Sequence, residues 1–159
     1  MTMKTENELK LGVEEALKGV QFRRKSSTWY CDLDETVLVV DLQKSNFGEQ
    51  YYVNLGVLVK GLPASQAGKL PPKENECHIR LRIEALKHDE EERLKQLLNL
   101  EDGSIGAVDR KRGIASAITR IALPFLVQCS TRAGIRDAHR QGQLDSALVH
   151  KSIRDSVLS

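Results

Sequence analysis

Apolar residues recur every three or four positions at the start of the chain, where Leu9, Val13, Ala16, Leu17 and Val20 fall on one stripe. That spacing predicts an amphipathic helix from about residue 4, with Gly19 as its stop. From Phe22 to Ile83 the period drops to two, and strands are predicted near 21–24, 28–33, 36–44, 50–60 and 76–84. In "HDEEERLKQLLNL", which begins at His88, Asp89 is the expected N-cap of a helix. The acidic residues 90–92 then suit the positive end of its dipole. Beyond residue 103 the pattern is helical again. Ile114, Ala117, Ile118, Ile121, Ala122, Phe125 and Leu126 make a stripe that Pro124 is expected to bend or interrupt. Ser130 or Thr131 is expected to cap a short helix through Arg140 that Gly142 stops. Asp145 is expected to cap a last helix carrying Leu148, Val149, Ile153 and Val157.

The stretch "QKSNFGEQYYVNLGV", residues 43–57, specifies a hairpin. A turn centred on Asn46–Phe47 pairs Lys44 with Glu49, Leu42 with Tyr51, Val40 with Val53 and Leu38 with Leu55. The opposite face then carries Gln43 with Gln50, Asp41 with Tyr52, Val39 with Asn54 and Val37 with Gly56. A slip of one residue would carry Asp41 and Asn54 into the core, so the faces are well determined. The same alternation in "CHIRLRIEAL" turns Cys77, Ile79, Leu81 and Ile83 inward and His78, Arg80 and Arg82 outward. Trp29 groups with Cys31 and Leu33 on the inward side, between the sheet and a helix. Between these strands, residues 60–76 hold two glycines and three prolines and read as a long, mobile surface loop. The expected architecture is α+β: an antiparallel sheet of about four to five strands, one face packed by an N-terminal helix and several C-terminal helices. At 159 residues a single domain is expected.

Three segments taken together, "FRRKSSTWY", "LQKSNFGEQYYVNLGV" and "PPKENECHIRLRI", resemble an uncharacterised, mainly bacterial family, domain-of-unknown-function family 4304. Its members show a basic–Ser–Thr–Trp stretch, a "QKS" followed by an aromatic-rich "VNLG" strand, and a later "CHIR" strand. The resemblance runs from about residue 9 to residue 155. It implies a shared fold and carries over no catalytic or binding residue.

Composition narrows the function classes. Lysine and arginine number 24 against 22 acidic residues, so global attraction to nucleic acid or anionic lipid is weak. Three cysteines far apart in sequence, Cys31, Cys77 and Cys129, suit reduced thiols in the cytoplasm. The charged N-terminus is unlike a secretion signal, and no apolar run approaches the roughly 20 residues that span a bilayer.

The working surface is sought on the sheet face opposite the core. There the alternation gathers Tyr30, Asp41, Gln43, Tyr52, Asn54, His78, Arg80 and Arg82, with the basic segment 23–27 at its margin. Planar and directional groups of this kind recognise polar or anionic partners. The plainer reading is a solvated sheet face held by cross-strand pairs, such as Asp41 with an arginine. Single-stranded RNA would need stacking aromatics and a positive track; Tyr30 and Tyr52 could stack, but the RNA-recognition signature with its Gly–Phe pattern is absent and the charge is balanced. Cys77 and His78 are neighbours on opposite faces of a strand and cannot share a metal, while His88, His139 and His150 have no partner at ligand spacing. Cys31 and Cys77 are placed on the core side as inert thiols, and Ser26, Ser27 and Ser45 lack a nucleophile context. "GSIGAVDRKRG", from Gly103, lacks the order of a phosphate cradle and reads as a loop. The expectation is a cytosolic, non-enzymatic module that uses the polar face to bind a partner protein, with no cofactor, no metal, no membrane and no nucleic acid. The alternative is a small hydrolase or nucleic-acid-processing enzyme using Asp, His and Arg on the same face.

Overall fold

Leu9, Val13 and Leu17 lie on one side of helix α1 (Thr2–Leu17) and are fully buried. Val20 falls beyond the helix end and is exposed. The computed structural model describes residues 2–63 and 69–159, with side chains described from residue 8 onward. Six strands follow the helix: β1 (Arg23–Lys25), β2 (Thr28–Asp32), β3 (Thr36–Lys44), β4 (Tyr51–Val59), β5 (Ile79–Arg82) and β6 (Leu148–Val149). They form one open antiparallel sheet in chain order. The sixth strand is an addition to the predicted set: it returns from the C-terminal part and pairs with β5 through Ile79–Val149 and Arg80–Leu148. Trp29, Cys31, Leu38, Val40, Leu42, Val53, Leu55, Val57, Ile79 and Leu81 point into the main core.

The helices that cover this face are α2 (Glu91–Leu97), α3 (Ala107–Ala117), α4 (Leu123–Gln128), α5 (Arg132–Arg140) and α6 (Lys151–Ser156). Pro124 does not interrupt its stripe. It sits in the first turn of α4, directly after a π-helical turn at Ile118–Ala122, where the regular ladder is already loosened and the missing N–H costs little. The Thr131 hydroxyl accepts the Gly134 N–H and caps α5, and Gly142, at φ 77°, lies just past its end. Two other caps differ from expectation. A 3₁₀ turn at His88–Glu90 precedes α2, so Asp89 is not its cap. Helix α6 is capped by His150, whose Nδ1 accepts the Ser152 N–H, because Leu148 and Val149 are drawn into the sheet.

In the central hairpin the faces are as predicted, but the register is two residues away. Leu42 pairs with Val53, Val40 with Leu55 and Leu38 with Val57. The loop is wider than the two-residue turn assumed: the Ser45 N–H bonds the Gln50 carbonyl, and the Ser45 hydroxyl accepts the Phe47 N–H inside it. Residues 49–51 are then taken by the chain after α2. The Tyr51 N–H donates to the Leu98 carbonyl, and the Leu100 N–H donates to that of Glu49.

That capturing segment is itself organised by a buried arginine. Arg110 donates to the carbonyls of Gln96, Leu97, Asn99 and Asp102, satisfying the open end of α2 and the loop beyond it. Arg110 lies on α3, so the stretch from Gly103 that reads as a loop is in large part helix. Helix α1 packs closely along it: a Cβ on Gly12 would lie 2.8 Å from the Lys111 carbonyl oxygen.

Trp29 is buried at 1% exposure between β2 and α1, and its Nε1 donates to Glu14 at 2.9 Å. Trp29→Ala is expected to destabilise the protein by about 3–5 kcal/mol, as large core truncations do. Urea melting checks this, and a wild-type midpoint would contradict the packing.

Candidate functional site

The outer sheet face has two halves. Far from the hairpin turn, Val37, Val39, Leu58 and Cys77 form a small second apolar cluster, with Tyr30 packed against it. Cys77 reaches that side because the chain enters the sheet from a 3₁₀ turn at Glu74–Glu76 instead of as an extended strand. Its thiol lies directly on Gly56, where a Cβ would come within 2.7 Å of Sγ. The long loop expected at 60–76 falls partly outside the described residues. Its described C-terminal end covers this half of the sheet.

The strand alternation therefore does not extend back to residues 77 and 78, and two placements are corrected. Cys77 is buried on the outer side, away from the main core. His78 is not on the polar face: it is 1% exposed, with its ring turned to the end of β4. Its Nδ1 accepts the Val59 N–H at 2.9 Å, so its proton resides on Nε2, which donates to the Pro63 carbonyl at 2.8 Å. The ring replaces the carbonyl that a longer β5 would have offered to Val59. Burial pushes the His78 pKa below its ordinary value and the nearby His150 adds to this, while the Pro63 bond opposes it.

Nearer the turn the outer face is polar. The register aligns Thr28, Asp41, Asn54 and Arg82 in one row across β2 to β5. The Thr28 hydroxyl donates to Asp41 Oδ1 at 2.9 Å; the Asn54 amide donates to Asp41 Oδ2 at 3.3 Å and to Gln43 Oε1 at 2.8 Å. Asp41 is thus held by neutral donors, where a cross-strand arginine was expected. The Arg82 guanidinium lies 3.7 Å over the ring of Tyr52, and Arg80 Nε bonds Glu74 at 3.0 Å.

These side chains floor a groove of about 950 Å³. Asp41, Gln43, Asn54, Arg80 and Arg82 line it, with Tyr52 behind Arg82; Tyr30 belongs to the apolar half. Lys73, Glu74 and Asn75 form one wall and Glu84, His88 and Glu91 the other, with Leu148 at one end. Apart from Glu91, at the start of the predicted helix α2, the walls were not legible in the sequence, since they come from 3₁₀ turns and from β6, elements that no alternation announces.

Reactive chemistry is muted. Burial pushes the Cys77 thiol up to about 12, with Glu74 adding, and the Cys129 thiol up to about 12. Burial, then Asp32, raises that of Cys31. Protonated thiols are poor nucleophiles. Among the described residues no three His, Cys, Asp or Glu side chains are gathered in a metal-holding group, and no single helix is long and apolar enough to cross a membrane.

A family model described as a domain of unknown function (DUF4304) matches residues 13–128. No curated protein and no solved structure matches the chain.

Gly56→Ala is expected to destabilise by about 1–3 kcal/mol through overpacking, and Cys77→Ala in the same chain to recover part of the loss. Equal midpoints for wild type and Gly56→Ala in urea would refute the contact. His78 gives a pH signature. Its folded-state pKa is depressed, so the unfolded chain binds the extra proton and stability rises with pH. The contribution should be complete above the unfolded value, near ~6.5, and fall as pH drops below it towards the folded value. His78→Ala is expected to be less stable at pH 7 and to show a shallower decline between pH 7 and 5, read from urea midpoints.

Proposed function

Since the chain belongs to the DUF4304 family, whose function is unknown, its role has to be argued from the groove, and we propose a non-enzymatic binding module for a partner protein. The observation that carries this reading is the arrangement of Thr28, Asp41, Asn54 and Gln43 beside the Tyr52–Arg82 stack on four paired strands. Such groups are held in place before a partner arrives. A stacked guanidinium loses little freedom when it pairs, and it offers directional donors to a carboxylate. Rigid strands position these contacts better than loops would.

The enzyme alternative has less support. Catalysis on this face would need a base or nucleophile in the groove with a tuned pKa. Both oxygens of Asp41 are engaged by neutral donors, and His78, the perturbed histidine, faces the end of β4. A single-stranded nucleic acid would need free aromatic faces. Tyr30 is packed in the apolar cluster and Tyr52 lies beneath Arg82. Three free, buried cysteines suit a reducing cytoplasm, and we read residues 1–159 as one domain.

The test is affinity capture with the tagged protein, identification of the partner by mass spectrometry, and rebinding of that partner in purified form. Arg82→Ala should change stability by roughly 1 kcal/mol or less, because the side chain is exposed. It should weaken binding of the purified partner at least about tenfold, the effect of roughly 1.4 kcal/mol. Undiminished binding by folded Arg82→Ala and Asp41→Asn would remove the groove from the interface.

A further inference from the structure

The polar groove does not end at the sheet. Ala85, His88 and Ser146 also line a second depression of about 630 Å³ against Pro124 and Phe125 at the start of α4. Because the two depressions share these three residues, they lie side by side and together make a trough beside the β5–β6 end of the sheet. Its sheet end is charged, and its helix end carries Lys87, Arg120, Gln128 and Gln143 beside Pro124. Two adjoining depressions make a polar surface that is long in one direction, which suits an extended chain better than a compact metabolite.

Two charged groups in the trough are incompletely matched by the protein. Glu84 Oε1 is buried and meets no hydrogen-bond donor among the described residues. Lys95, close enough to feel the Glu84 charge, is bound to Glu91 at 3.0 Å. The Glu84 carboxylate borders the groove and has no hydrogen-bond or ion-pair partner among the described residues, so a cation meeting its groove side offsets the cost of its partial burial. Arg82, two residues earlier, pairs with no carboxylate among the described residues. Its planar face is held on Tyr52, which leaves the N–H edge to meet an anion.

We propose that this trough binds an extended peptide segment of the partner protein. A lysine or arginine of that segment bonds the Glu84 carboxylate, and an acidic residue pairs with Arg82. The proposal rests on the binding-module reading and adds the class of partner and its charge pattern. It requires Glu84 to discriminate: a segment without a basic side chain leaves the carboxylate unpaired and binds more weakly.

The experiment selects randomised displayed octapeptides on the purified full-length chain, then measures the best synthetic peptide by fluorescence anisotropy. The expected result is enrichment of a lysine or arginine at one fixed position, with affinity at least about tenfold weaker for Glu84→Gln, a step of about 1.4 kcal/mol. Glu84→Gln keeps the side-chain shape and should melt like wild type. If it does not, an alanine at the basic position of the peptide measures the same pair on the wild-type chain. Arg82→Glu should reverse the preference at the acidic position. Selection of peptides without a fixed basic residue, or equal affinity for Glu84→Gln, overturns the proposal. Failure to enrich any peptide while the purified partner still needs Arg82 would also overturn it, leaving a folded surface as ligand and the binding-module reading intact. Tight binding of a single-stranded oligonucleotide that Arg82→Ala abolishes would overturn both.

Discussion

The thiol of Cys77 rests on the backbone of Gly56, and much of the molecule follows from that contact. It brings residues 74–77 over the outer face of the central hairpin, so that Val37, Val39 and Leu58 are buried on a side that alternation leaves to water. Half of the sheet thereby becomes a two-sided interior. The other half stays open, and its edge is the wall from Lys73 to Asn75. The groove is thus the uncovered remainder of a sheet face, bounded by the cover itself. The same chain path explains His78. Having left the regular strand, residue 78 turns its ring into the plane of the sheet and satisfies the Val59 N–H that would otherwise be stranded.

Polar groups elsewhere are buried on similar terms. Arg110 enters the interior with five carbonyls to receive its donors, and in doing so fixes the loop that holds the tip of β4. A charge taken out of water this way is costly unless its hydrogen bonds are complete. Asn54 is nearly as buried, and its amide is shared between Asp41 and Gln43. Against this background Glu84 stands out, because one of its oxygens is buried without any such donor among the described residues.

The groove combines preset geometry with little reactivity. Under the proposed reading its carboxylates and guanidiniums serve recognition, while the thiols are buried with raised pKa values and the perturbed histidine bonds the backbone. Binding energy in such a site comes from matching charges and hydrogen bonds to a partner of the right pattern.

The sequence by itself determined the faces. The period-two pattern from Phe22 to Ile83 placed Trp29, Leu38, Val40 and Leu55 inward, and Asp41, Gln43, Asn54, Arg80 and Arg82 outward, because a strand has only two sides and apolar burial chooses between them. The helical stripes of α1 and α3 were legible for the same reason, as was the Thr131 cap. Tertiary structure decided what periodicity does not encode. The hairpin register moved by two residues, which preserves every face and is therefore invisible to alternation, once residues 49–51 were claimed by the chain near Leu98. Cys77 and His78 left their expected sides because a 3₁₀ turn precedes them, and β6 formed from residues read as helix because β5 had an edge to pair. The walls of the groove, Glu84 among them, converge from turns far apart in sequence. Only the packing of the folded chain brings them together.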